Sequence, residues 1–151
     1  MLPEHAIQLE QRKKGFEDFF NELMPALVDF IEKIGINPAH QVLNQAEKYV
    51  PFVEASLRDI VVADKGDRVW LLTRVGYFIG EYFSQKYGGC WYVNDICDSR
   101  YFARYVVGKF SKTNNMATMI DPFEIAQVYV DTPVPREMTV VLAEVDAQIG
   151  K

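Results

Sequence analysis

Residues 69–94 read VWLLTRVGYFIGEYFSQKYGGCWYVN and decide the fold of this 151-residue chain. In the first part of this stretch, apolar residues recur at helical spacing over a wide arc, which predicts a central helix over about residues 67–87. Gly76 and Gly80 lie one turn apart in this helix. Because each glycine lowers helix propensity by about 1 kcal/mol, we expect both to allow close approach by a neighbouring element.

The same stretch changes from helix to strand at its end. Gly88 and Gly89 predict the end of the helix, and the β-forming residues 90–94 predict a first strand. Apolar and polar residues alternate over 101–110, a turn sequence follows at 112–115, and residues 116–120 predict a third strand. The simplest arrangement of three consecutive short strands is an antiparallel meander, in which each strand pairs with the next.

Two helical regions precede this centre. The first carries an apolar stripe and should end near Gly35, with Pro25 on its polar side either kinking the helix or starting a second one. The second runs over about 38–62 and is interrupted at Pro51, as two short helices or one kinked helix. The first stripe consists of Phe16, Phe19, Phe20, Leu23, Leu27, Phe30, Ile31 and Ile34.

Two further helices are predicted after the strands. Asp121 is placed to cap a helix that reaches about residue 130, with Pro122 at its first position and Glu124 completing a capping box. A last helix spans about 135–149. The sequence therefore predicts one α+β domain over residues 1–151, with N-terminal helices and a central helix packed on a small three-stranded antiparallel sheet, followed by C-terminal helices.

Composition and charge argue against two classes of partner, nucleic acid and membrane. The net charge of −5 disfavours nucleic acid as a partner, since an acidic surface repels phosphate. The longest apolar run, residues 60–63, is far shorter than the roughly 20 residues that cross a bilayer, and no secretory signal is visible. We therefore expect a soluble, cytoplasmic protein with no membrane partner.

Metal and cofactor sites are not indicated. Cys90 and Cys97 have no zinc-type spacing, and His5 and His40 lie far from them in the sequence. The two cysteines are expected to be reduced thiols, although a disulfide across a hairpin would also fit. Without a glycine-rich phosphate loop or a nucleophile elbow, we expect no cofactor.

The polar stripe of the central helix is the first candidate site. Arg74, Tyr77, Glu81 and Gln85 follow one another at helical spacing, so their side chains share one face. In a groove, Arg74 would supply a cation, Tyr77 a hydroxyl and Glu81 an acceptor or general base. The alternative is a solvated face with local pairing.

The turn after the first strand is the second candidate. Asp95, Asp98 and Arg100 cluster there and could serve acid–base chemistry or hold a hard cation, although such residues are also typical of ordinary turns. Tyr92 and Trp91 point to opposite sides of the strand. Tyr92 is therefore a candidate for partner binding if it faces out, whereas Trp91 is expected to pack on Gly76 or Gly80.

Three short motifs resemble a pattern of small uncharacterised bacterial domains. The motifs are GYFIGE at 76–81, GGCW at 88–91 and DPF at 121–123. In that family a glycine-bearing helix leads through G-G-x-W into a small sheet, and a further helix follows. The resemblance covers residues 69–130 and implies an immunity-type or accessory protein that binds another protein. It supplies no catalytic residues.

Two functions are therefore open. The first is a non-enzymatic protein-interaction domain, with another protein as its partner and with homodimerisation compatible. The alternative is a small enzyme that uses a carboxylate of Glu81, Asp95 or Asp98 with Arg74 or Arg104. The enzyme hypothesis requires these groups to converge in one cleft.

Overall fold

The computed structural model describes residues 2–150 as five α-helices and one three-stranded antiparallel sheet, which confirms the α+β prediction. N-terminal helices come first, then the sheet, then C-terminal helices. In chain order the elements are α1 (Pro3–Lys33), α2 (Val42–Leu57), α3 (Lys65–Tyr87), β1 (Cys90–Val93), β2 (Tyr105–Gly108), β3 (Met119–Ile120), α4 (Pro122–Asp131) and α5 (Met138–Ile149).

Helix α3 is the centre of the fold. Every residue from 75 to 83 is buried, so this part of the helix is contacted on all sides. The two glycines permit that contact, as predicted. A Cβ added at Gly80 would lie 1.9 Å from Cζ2 of Trp91, and one added at Gly76 would lie 2.5 Å from Cδ1 of Phe123. All eight elements contribute side chains to one connected hydrophobic core.

The sheet has the predicted order, β1-β2-β3, but its strands are shorter than predicted. Trp91 pairs with Val107, which in turn pairs with Ile120. Ladder pairing of β2 is confined to residues 105–108, and Ala103 and Lys109 at its two ends have positive φ values of 59° and 56°. A left-handed residue breaks the regular course of a strand, so the prediction of a strand over 101–110 was wrong at both ends.

The third strand was also overestimated, because the turn before it continues further than predicted. The side-chain Oδ1 of Asn115 accepts a hydrogen bond from the N–H of Ala117 at 3.0 Å, and the Asn115 carbonyl accepts one from Thr118 at 3.4 Å. These local bonds hold residues 115–118 in a turn, so only Met119 and Ile120 pair with β2.

Helices α1 and α2 differ from prediction in their ends and in the position of the kink. Helix α1 starts well before the apolar stripe and runs continuously through the exposed Pro25. In α2 the non-helical residue is Gln45, with φ −135° and ψ 39°, and not Pro51. Helix α2 also ends at residue 57, so Ile60 and Val61 lie outside it and are exposed.

The C-terminal part begins with the predicted cap. Asp121 Oδ1 accepts hydrogen bonds from the N–H groups of Phe123 (3.0 Å) and Glu124 (3.4 Å). Glu124 does not complete a capping box, because its carboxylate binds Arg104 at 3.0 Å. Helix α5 begins at residue 138, three residues later than predicted.

Buried Arg136 ties the loop before α5 to the segment after α2. Its guanidinium donates to the carbonyls of Ile60, Val130 and Thr132, and its backbone N–H donates to Arg58. The position of the segment after α2 is therefore fixed from the C-terminal side. Within residues 2–150, no helix combines the length and the apolar character that crossing a bilayer requires.

Candidate functional site

The predicted polar stripe of α3 is neither a solvated face nor a groove over most of its length. Tyr77 and Glu81 are only 6% and 5% exposed. The Oε1 atom of Glu81 has no hydrogen-bond partner in the described part of the chain. Burial raises the pKa of Glu81 to about 7, and hydrogen bonding by the Gln85 side chain opposes part of the rise. A carboxyl enclosed in this way is not presented to a substrate.

Gln85 has a structural role that its spacing alone did not show. Its Oε1 accepts from the N–H of Ala46 at 2.8 Å, and its Nε2 donates to the carbonyl of Val42 at 3.0 Å. Val42 and Ala46 are four residues apart and would bond directly in a regular helix, but α2 is kinked at Gln45. The Gln85 amide thus replaces the missing helical hydrogen bond between Ala46 and Val42 and satisfies both backbone groups.

Arg74, at the other end of the stripe, forms no hydrogen bond with Tyr77, Glu81 or Gln85. Its guanidinium carbon lies 4.7 Å from the centre of the Trp70 ring, and Nη1 donates to the Trp70 carbonyl at 3.5 Å. Its Nε is buried without a hydrogen-bond partner, and no carboxylate within residues 2–150 forms an ion pair with it.

The candidate residues of the second region lie in the loop after β1 and on its outer side. Asp95 and Asp98 are exposed. Arg100 pairs with Glu124 and lies over the ring of Tyr101. These contacts hold the loop against the start of α4, whereas the side chains of Asp95 and Asp98 form no hydrogen bond or ion pair within residues 2–150.

Tyr92 is half-buried on β1, with Lys109 Nζ 4.4 Å from its ring centre. Burial raises the pKa of the Tyr92 hydroxyl, with further contributions from Cys90 and Asp95. Trp91 on the opposite face packs on Gly80, as predicted. Tyr92 is therefore a neutral, partly covered side chain.

The convergence that the enzyme hypothesis requires is not present in the described residues. Neither Arg74 nor Arg104 forms a hydrogen bond or ion pair with Glu81 or with the aspartates of the loop. Arg104 instead binds Asp121 at 3.1 Å and Glu124 at 3.0 Å. The two arginines thus have different partners, since Arg74 stacks on Trp70 and Arg104 pairs with carboxylates at the start of α4.

A cavity of about 240 Å³ that is lined by polar residues opens beside the kink of α2, and of the predicted site residues Gln85 lines it. Gln45, Tyr82 and Lys86 are among its lining residues. Lys86 Nζ lies 3.2 Å from the Tyr82 hydroxyl and 3.1 Å from Asp146. Burial alone would lower the pKa of Lys86, but the bonds to Tyr82 and Asp146 outweigh it and raise the pKa. This lysine therefore stays protonated at neutral pH and lacks the character of a nucleophile or base.

A second cavity, the Trp70 groove, is predominantly apolar and has a volume of about 290 Å³. Sequence reasoning missed it because residues 60 and 61 were included in the second predicted helical region. The available signal was the β-branched run at 60–62, for which the predicted fold provided no partner strand. The groove is lined by Phe30, Ile34, Leu57, Ile60, Val61, Val62, Ala63, Asp67, Trp70 and Leu71.

One rim of the Trp70 groove consists of backbone without internal partners. Residues 61–63 belong to no helix or strand, and their N–H and C=O groups have no hydrogen-bond partner within residues 2–150. Val61 is 75% exposed and Ile60 40% exposed. An exposed apolar rim of this kind is typical of a contact surface.

The described residues include neither a cluster of metal ligands nor a disulfide. No group of three or more His, Cys, Asp and Glu side chains there could hold a metal ion. Cys90 and Cys97 are both exposed and not joined to each other, in agreement with the prediction of free thiols.

The chain matches no protein-family model, no curated protein and no solved structure. The resemblance drawn from the three motifs thus stays a prediction.

Proposed function

We propose that the protein is a non-enzymatic protein-binding domain that receives a peptide segment of its partner in the Trp70 groove. The observation that carries the proposal is that two features lie at the same place. An apolar groove of about 290 Å³ lies beside three residues whose backbone groups have no partner in the described chain.

Each feature supplies a different part of recognition. Apolar side chains of a partner would remove the groove lining from water, at about 25 cal/mol for each Å² of apolar surface buried. The backbone of residues 61–63 offers hydrogen bonds to a second main chain, as in strand addition to an exposed edge. A volume of about 290 Å³ is at the lower end of small-molecule pockets, so it fits peptide side chains better than a large cofactor.

The enzyme alternative has less support from the geometry. Its carboxylates and arginines are separated, and Glu81, whose pKa is about 7, is enclosed by the core. An immunity-type or accessory role, which the motif resemblance implies, is one form of the proposed binding function.

The test compares two exposed apolar residues of which only one lines the groove. Val61→Glu places a charge on the groove rim, whereas Phe52→Glu changes a residue on α2 that is 60% exposed and does not line the groove. Wild type and both variants are immobilised and incubated with extract of the source cells, and the captured proteins are quantified by mass spectrometry.

We expect a specific protein to be captured by wild type and by Phe52→Glu, and to be lost with Val61→Glu. Equal capture by Val61→Glu would place the partner elsewhere. Absence of any captured protein with wild type would count against a binding function.

A further inference from the structure

We propose that the groove between α4 and α5 is a second docking surface, which binds a basic amphipathic helix of another protein. This α4–α5 groove and the Trp70 groove share none of their described lining residues, so the inference does not depend on what the Trp70 groove binds. It follows from the course of the groove along two helices, from the apolar side chains that it exposes, and from two glutamates on its border.

The α4–α5 groove consists of two cavities of about 190 and 360 Å³. They share Val128 of α4 and Val141 and Glu144 of α5 as lining residues, so the two cavities are continuous. On α4 the lining recurs at intervals of three and four positions, at Ile125, Val128 and Thr132. This spacing keeps one face of the helix toward the groove, so the groove follows the helix axis.

The length and the walls of the α4–α5 groove favour a helix as its occupant. On α5 the lining extends from residue 137 to residue 148, which corresponds to about 16 Å at a rise of about 1.5 Å per residue. A channel between two helices accommodates the side chains that a third helix presents from one face, at positions i, i+3, i+4 and i+7. A helix of about three turns therefore covers the whole groove.

The floor of the α4–α5 groove is apolar and partly open to solvent. Val128 is 60% exposed and Val140 is 50% exposed, and both line the larger cavity. Ile125 and Val141 beside them are half-buried. Exposed valines on two helices thus border one concave surface, and their removal from water would favour binding.

The charges that line the α4–α5 groove select a basic occupant. Arg100 is paired with Glu124, and Arg136 is only 5% exposed with its guanidinium bound to three carbonyls. Glu137 and Glu144 are exposed and form no ion pair within residues 2–150. The accessible charge that the chain does not balance itself is therefore negative, and it lies on the groove lining.

The two glutamates also set the spacing of the partner's charges. Glu137 is the N-cap residue of α5 and Glu144 lies seven residues further, so they are about 10 Å apart along the helix axis. A partner helix that runs along α5 matches both with two Lys or Arg residues seven positions apart, beside its apolar face.

A second copy of this chain is the less suitable occupant. The helices within residues 2–150 carry no two Lys or Arg residues seven positions apart. The basic run of α1, residues 12–14, occupies consecutive positions, which point in different directions around a helix. Two copies with a net charge of −5 each also repel one another.

The experiment selects helices from a display library of alanine-based peptides of about 18 residues, in which the residues of one face are randomised among Leu, Ala, Lys and Glu. The baits are wild type, Glu144→Lys and a double variant that adds Glu137→Lys. The matched control Glu10→Lys reverses an exposed charge on α1 outside the groove, and Val61→Glu alters the Trp70 groove instead. Circular dichroism establishes that each bait is folded.

An enriched helix is then synthesised in two forms, as selected and with its Lys residues replaced by Glu. The affinity of each form for each bait is measured by fluorescence anisotropy.

We expect wild type to enrich helices with an apolar face and two Lys residues seven positions apart. The affinity of the selected form should fall about tenfold in Glu144→Lys and further in the double variant, because an attraction becomes a repulsion. This loss should shrink at high salt. The Glu form should bind the double variant better than wild type, a reversal that unfolding cannot produce. Glu10→Lys and Val61→Glu should bind the selected form like wild type.

Three results would overturn the inference. No enrichment on folded wild type, or enrichment of helices without Lys, would remove the basic partner and leave the proposal for the Trp70 groove standing. Loss of affinity in Val61→Glu but not in Glu144→Lys would place the helix in the Trp70 groove. A dimer in analytical ultracentrifugation that the double variant abolishes would show that a second copy fills the α4–α5 groove.

Discussion

The two halves of α3 differ in the surroundings of the tryptophan that each one contains or contacts. In the C-terminal half, Gly80 receives Trp91, which is 6% exposed and surrounded by the rings of Phe19 and Phe123. In the N-terminal half, Trp70 is only partly buried, borders an open groove and is flanked by cations.

The different surroundings of the two tryptophans indicate that one half of α3 serves packing and the other half serves binding. Residues 75–83 are enclosed on every side, so a change there acts on the free energy of unfolding. Trp70 is only half-buried and lines the groove, so a change there should act mainly on binding. Substitutions in each half test whether the two halves are as separable as the contacts indicate.

The largest effect is expected from Gly80→Ala. The new Cβ would lie 1.9 Å from Cζ2 of the buried Trp91 indole, which packs against the rings of Phe19 and Phe123. We expect a loss of more than about 3 kcal/mol in the free energy of unfolding, at the upper end of overpacking effects. Urea unfolding followed by circular dichroism measures the loss.

The matched control for this change is Gly66→Ala in the first turn of the same helix. There the nearest atom to the new Cβ is the Asp64 carboxylate at 3.0 Å, which belongs to an exposed side chain. A loss in Gly80→Ala no larger than in this control would contradict the close packing of Trp91.

The second effect is pH-dependent and concerns Glu81. Its pKa is about 7 in the folded protein and about 4.5 when the side chain is free, so the folded state binds the proton more tightly. Its contribution to stability is therefore complete below about pH 4.5 and is lost as the pH rises through 7, with a cost approaching roughly 3 kcal/mol.

Glu81→Gln should accordingly stabilise the protein at pH 8 and change little at pH 4.5. Unfolding free energies of wild type and variant at both values measure the difference, with exposed Glu144→Gln as the control. Parallel pH profiles of wild type and Glu81→Gln would show that this carboxyl is solvated.

The third prediction concerns the bridge between α3 and α2. Gln85→Ala leaves the Ala46 N–H and the Val42 carbonyl without their partners, which should cost about 2 kcal/mol. Hydrogen exchange should accelerate at the Ala46 amide and much less at the Trp70 end of α3. Gln127→Ala, at an exposed position on α4, is the control, and unchanged exchange at Ala46 would contradict the bridge.

The sequence predicted the buried half of α3 well because its signals are local and redundant. Helical periodicity, two glycines and the Gly88 end all indicate the same element, and Gly88 indeed has a φ of 67°. The antiparallel order of the strands followed from their short connections. Their lengths did not follow, since the positive φ of Ala103 and Lys109 leaves no pattern in apolar periodicity.

The site was harder to predict, because burial of a polar residue depends on which helix covers it. The spacing of Tyr77, Glu81 and Gln85 indicates a shared face, but different helices cover its parts. Phe19 of α1 and Phe123 of α4 pack on Tyr77, whereas α2 contacts Gln85 beside a kink that no proline marks. The Trp70 groove likewise depends on the early end of α2 and on Arg136, which binds the Ile60 carbonyl from 76 residues away.

The smallest change in stability is expected from Trp70→Phe, and it tests the open half directly. The ring remains apolar and in the same place, so we expect a loss of at most about 1 kcal/mol, whereas Trp91→Phe should cost more because it leaves a void beside Gly80.

Since each variant retains one tryptophan, fluorescence reports on each half separately. Acrylamide should quench the emission of Trp91→Phe, which comes from Trp70, far more than that of Trp70→Phe. Peptide binding should shift only the Trp70 emission, because only that ring borders the groove. Equal quenching of the two variants would mean that the halves of α3 do not differ in access to solvent, and the separation of packing from recognition would then fail.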